Sequence, residues 1–173
     1  MFLTLLLAAM ATTTAITPQA QPDPTVASTK TQLLAVKGYV LKAIDQVPDD
    51  LLAFKPTPDI RSMGQLFGHI ADANFQMCSM ATDKKPEMQD IEKTKTAKAD
   101  LKAALEASFK FCEAGFDGLT TATANETVKF FLPGTTSRLG ALAFNTAHDF
   151  EHYGNLVTYM RLKGLVPPSS APR

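Results

Sequence analysis

"ATDKKPEMQDIEKTKT", residues 81–96, is a polar stretch of 16 residues between two helical patterns. Connections between neighbouring helices usually take about 2–8 residues. Fully extended, this one reaches about 50 Å, enough to run back along a helix. The following helix can then start at the same end as the one before it, so that the two run parallel. The expected fold class is therefore all-α, a four-helix bundle whose second and third helices are parallel.

The flanking sequence supplies those helices. Over residues 28–46, Leu33, Val36, Val40 and Ile44, with Val47 beyond, recur at three- and four-residue spacing, the period of one helical face. "PDDLLAFKPTPD" then breaks the pattern. The second helix opens at "SMGQ", where Ser62 as N-cap and Gln65 three residues later form a capping box. Its expected inward stripe is Leu66, His69, Ala73, Gln76 and Met80. After the connector, residues 97–119 carry Leu101, Leu105, Ser108, Cys112 and Phe116 on one stripe. "VKFFL", inside the next break, reads as a short extended segment. The fourth helix covers about residues 136–163, with Gly164 suited to its C-terminal end and "PPSSAP" stopping it.

Ahead of the helices, "MFLTLLLAAMATTTAITPQA" is an apolar run followed by small residues. Residues 1–20 are expected to be a signal peptide cleaved after Ala15 or Ala20, residues 21–27 a tether, and residues 28–170 the folded domain. The chain should then be exported, periplasmic or secreted. Its 173 residues hold 17 basic and 17 acidic side chains and are 45% apolar. This is an ordinary globular composition, with no basic surplus to suggest nucleic acid. The expected partners are a small-molecule substrate, no nucleic acid, no membrane anchor after cleavage, and a homodimer as the one protein contact allowed for. Cys78 and Cys112 lack C-x-x-C spacing and carry no metal signal. An oxidising compartment would let them pair. At 100° per residue, however, Cys78 lies opposite His69 on its helix, so an inward His69 is expected to turn Cys78 outward. Whether the two thiols are free stays open.

Chemistry enters through the histidines, of which the chain has three. In "FNTAHDFEHYGNL", His148 and His152 are one helical turn apart and project together. Asp149 and Glu151 flank that line on opposite sides, each about 80° away. His69 sits on the stripe of the second helix. Three imidazoles on stripes meant for core residues need partners, and one divalent ion shared by all three would supply them. H-x-x-E-H is also a zinc-protease signature, whose third ligand is a carboxylate well downstream. None of the 21 residues after His152 is acidic, so that reading finds no third ligand there and Glu151 is not expected to bind metal. Asn145, Gln76 and Tyr159 are the candidates for the outer shell. Lys55 and Arg61 read as part of a solvated loop.

These residues resemble the DinB family of bacterial proteins. The specific segments are "PDIRSMGQLFGHIADA" and "HDFEHYGNLVTYMRLKG", and the likeness runs from about Thr25 to Ser170. The resemblance implies an up-down-down-up bundle in which one histidine on the second helix and an H-x-x-x-H pair on the last helix hold a divalent metal. Here those positions are His69, His148 and His152. Some members transfer cofactor thiols such as bacillithiol or mycothiol, and export would separate this chain from such thiols.

Three neutral ligands leave the ion an open position for water, as in catalytic rather than structural zinc sites. Zn2+ is the expected metal, with Ni2+ or Fe2+ as alternatives because imidazole suits each. The expected function is a metal-dependent hydrolase or transferase using metal-bound water. The alternative is a non-catalytic metal-binding stress or interaction protein, which a sealed pocket or a fourth protein ligand would favour.

Overall fold

The structure, a computed structural model, describes residues 23–86, 90–131 and 133–172. The expected signal peptide lies outside the described residues. Four long helices form the bundle: α1 (Pro24–Gln46), α2 (Met63–Thr82), α4 (Lys98–Asp117) and α6 (Arg138–Leu162). Short helices α3 (Ile91–Thr94) and α5 (Thr121–Ala124) lie in the connections, and β1 (Thr127–Lys129) pairs with β2 (Thr135–Ser137) in an antiparallel hairpin. No described helix is long and apolar enough to cross a membrane.

Local chemistry sets the helix starts. Asp23 accepts from the N–H groups of Thr25 and Val26 at 2.8 and 3.3 Å, with Pro24 in the first turn. This cap starts α1 inside the stretch expected to be a tether, because Asp-Pro fits the N-cap and first helical position. Ser62 and Gln65 form the expected capping box, the Ser62 hydroxyl accepting from the Gln65 N–H and the Gln65 carbonyl from the Ser62 N–H. Ser137 caps α6 through the Gly140 N–H. The "VKFFL" segment contributes β1 through its first two residues, Val128 and Lys129.

Side-chain pairings fix the topology. From one end to the other, α2 meets α4 at Gly64–Leu101, Asn74–Ser108, Phe75–Phe111, Cys78–Cys112 and Thr82–Gly115. Both sequences ascend together, so α2 and α4 are parallel, as the connector length implies. Lys30–Asp117, Lys37–Glu113 and Asp45–Lys102 set α1 antiparallel to α4. His69 against His152, Asn74 against Asn145 and Ala81 against Arg138 set α6 antiparallel to α2. The order is up-down-down-up.

The two cysteines correct an expectation. Cys78 and Cys112 are fully buried and joined in a disulfide. Helix α2 is the central helix, packed by α4 on one side and α6 on another, so side chains leaving it in opposite directions are both covered. Its deepest face is Phe67, Ile70, Ala71, Asn74, Cys78 and Ala81. The stripe through His69 runs along the edge of this core, where Gln76 is exposed and Met80 half-buried. Burial of each large apolar side chain contributes about 1.5–3 kcal/mol.

A polar network crosses this core. Asn74 of α2, Ser108 of α4, and Asn145 and Asp149 of α6 are all completely buried. Asn145 donates to the Asp149 carboxylate at 3.4 Å. With its amide oriented to satisfy both neighbours, Asn74 donates to Asp149 at 3.1 Å and accepts from the Ser108 hydroxyl at 3.2 Å. Buried polar groups need such partners, and these tie three helices into one rotational setting.

Candidate metal centre

Helical period brings two of the histidines together, and the antiparallel packing of α2 on α6 brings the third. One ring nitrogen from each of His69, His148 and His152 lies within 4.8 Å of the others. The Nε2 atoms of His148 and His152 are 3.0 Å apart. The His69 ring is edge-on to His152, with centroids 4.6 Å apart, and 5.2 Å from that of His148. Two nitrogens bound to one tetrahedral zinc would lie about 3.3 Å apart, close to the separation of the α6 pair. The three side chains could hold one metal ion.

Their electrostatics suit that role, since a ligand imidazole must be neutral. Burial pushes the His152 imidazole down to about 3, with the neighbouring His148, His69 and Arg61 adding to the effect. Burial lowers His148 as well, then the proximity of His69. Burial also lowers His69, then the Arg61 guanidinium, while Glu92 pulls the other way. The Nδ1 of His148 is buried with no hydrogen-bond partner among the described residues.

The outer groups differ from those expected. Asn145 belongs to the core network and bonds to no imidazole. Gln76 is exposed and lies two helical turns, about 10 Å, from His69. Tyr159 does line the site, yet its hydroxyl donates to the Arg61 carbonyl at 3.1 Å, and burial raises its pKa. Glu151 is exposed and stands outside the histidine cluster. The groups that do touch the imidazoles are Asn155, 3.2 Å from His152 Nδ1, and Glu92, 3.0 Å from His69 Nδ1. Asn155 follows His152 by three residues, within reach along the helix. Glu92 comes from the connector, where no periodicity marks it.

Beside the histidines lies an open cavity of about 410 Å³, lined by Asp59, Arg61, Glu151, His152, Asn155 and Tyr159 among others. Arg61, read from sequence as solvated loop, therefore faces the site, while Lys55 lines a separate cavity.

Comparison with known proteins agrees with the fold. A DinB-like protein from Bacillus cereus superimposes with a TM-score of 0.72 at 18% identity, covering 82% of this chain and 95% of that one. A DinB-like protein from Bacillus subtilis gives 0.67 at 18% identity, with 84% and 99% covered. A conserved protein from Enterococcus faecalis gives 0.63 at 17% identity, with 79% and 95% covered. At these identities the likeness establishes the fold. No curated protein matches the chain. The family model of the DinB superfamily matches residues 32–156, most of the helical bundle, and the chain belongs to that superfamily.

Proposed function

We propose that His69, His148 and His152 bind one divalent ion, Zn2+ in the first instance, and that the protein is a metal-dependent hydrolase or transferase acting on a small molecule. The observation that carries this reading is the convergence of three imidazoles, all held neutral by burial, on one point. An ion between them would replace the 3.0 Å approach of the His148 and His152 Nε2 atoms with two metal bonds. A divalent ion in such a site supplies Lewis acidity and lowers the pKa of water to about 7.

Catalysis is favoured over passive binding by what surrounds the cluster. No fourth Cys, Asp or Glu joins it among the described residues, and the site opens into a polar cavity rather than a sealed apolar one. Arg61, Asn155 and Tyr159 would bind and orient a substrate there. Export of the mature chain is part of the proposal. The buried Cys78–Cys112 disulfide supports it, because such bonds persist in oxidising compartments.

The test is elemental analysis of tag-free protein, then a screen of ester, amide and thiol-transfer substrates on the Zn2+-loaded form. One ion per chain, with turnover abolished in His69→Ala, is the expected result. A fully loaded protein inert across all three classes would favour the non-catalytic reading.

A further inference from the structure

Resting on the metal reading above, we infer that Glu92 is a positioning residue for His69, and that Asp72 and Gly68 hold the connector so that Glu92 reaches it. Glu92 lies on α3, a single turn of helix formed late in the connector. The N-cap residue of that turn, Asp90, makes no side-chain capping bond. The cap comes instead from α2, where the Asp72 carboxylate accepts from the N–H groups of Ile91 and Glu92, both at 2.9 Å. Asp72 follows His69 by three residues, so the group that anchors the connector and the histidine it serves occupy one stretch of α2. The backbones are in near contact there. A Cβ built on Gly68 would come within 2.6 Å of the Glu92 Cα. Only glycine lets α3 lie this close.

Held there, Glu92 divides its carboxylate. One oxygen is 3.0 Å from His69 Nδ1 and the other accepts from Arg61 Nε at 2.9 Å. A carboxylate only accepts, so a neutral His69 bonded to it carries its proton on Nδ1. The Nε2 lone pair is then free for the ion, with the ring fixed in direction. Carboxylates behind metal-bound histidines set tautomer and orientation in this way, and their loss typically weakens metal binding about 10–100-fold. The second bond, to Arg61, restrains the carboxylate so that it cannot swing away from the ring. Among the described residues His148 has no such acceptor on its Nδ1, and the contact on His152 Nδ1 is the uncharged Asn155 amide, so there His69 is the imidazole with an anionic partner.

Two measurements on the full folded chain test this. Long-range proton–nitrogen NMR of metal-free protein should show His69 as the Nδ1–H tautomer in the wild type and in Glu92→Gln, whose amide oxygen still accepts, but not in Glu92→Ala. Zn2+ affinity from chelator competition should fall about 10–100-fold in Glu92→Ala and recover largely in Glu92→Gln. Asp72→Ala, which touches no imidazole, should shift both readouts in the same direction by releasing α3. The inference is overturned if Glu92→Ala keeps the Nδ1–H tautomer and binds Zn2+ within about twofold of wild type, against the 10–100-fold loss typical of such partners. A wild type that binds no Zn2+ would remove the metal reading alone, and the tautomer of His69 would still decide the role of Glu92.

Discussion

His69 and Cys78 leave α2 in opposite directions, and both are covered, His69 by α6 and Cys78 by its disulfide to Cys112 of α4. Nine residues at 100° each make half a turn beyond two full ones. The central helix therefore presents the candidate metal site on one side and a covalent staple on the other. The staple fixes α2 against its parallel neighbour while the opposite side carries His69 of the candidate metal site.

Reduction should separate these two roles. The disulfide closes a loop of 34 residues, for which chain entropy gives about 3–4 kcal/mol of stabilisation. Urea unfolding with and without reductant should show a loss of that order. Unchanged midpoints would mean that the bond adds nothing to the folded state.

Substitution of any one of His69, His148 or His152 by Ala should reduce metal content from one ion per chain to near zero at neutral pH. Glu151→Ala should leave it unchanged, since Glu151 is exposed and outside the cluster. Lowering the pH should release the ion from wild type, because protons compete for the imidazoles. Metal stoichiometry of the four variants checks this, and loss of metal from Glu151→Ala with retention in His69→Ala would restore the protease-like assignment.

Asp149 gives a pH signature opposite to that of acid release. Its carboxyl is fully buried, and burial pushes its pKa well above 3.8. Between the unfolded and folded values, the unfolded chain ionises first and binds fewer protons. Stability contributed by this group is therefore fully present below the unfolded value and falls as pH rises through the window. Asp149→Asn removes the titration. In urea unfolding with a chelator present, the variant should gain on wild type steadily as the pH rises from about 4, near the unfolded carboxylate value. A stability difference that stays flat with pH would refute this.

Gly68→Ala tests the close approach of α3 to α2. Overpacking a tight contact costs about 1–3 kcal/mol, and the obstacle here is backbone rather than a flexible side chain. The amides of Ile91 and Glu92, bonded to Asp72 in wild type, should lose hydrogen-exchange protection, with a lower Tm. Protection at the wild-type level would show that α2 and α3 can separate without releasing those bonds.

By itself, the sequence determined features that depend on one helix or on chain length. The Ser62–Gln65 box places the start of α2, because capping joins atoms within three residues. The i, i+4 spacing puts His148 and His152 together on α6, and the long connector permits a parallel α2 and α4. Tertiary packing decided the rest. Helical period ranks side chains around their own axis but not by what lies beyond them. It therefore placed Cys78 outward, when a helix covered on two sides buries Cys78 and half-buries His69. The same limit moved Gln76 to the surface and Asn145 into a core network. Glu92 had no signal at all. It sits in a polar connector without periodicity, and reaches His69 only because Asp72 and the missing side chain of Gly68 let two segments, 23 residues apart in sequence, share one hydrogen bond.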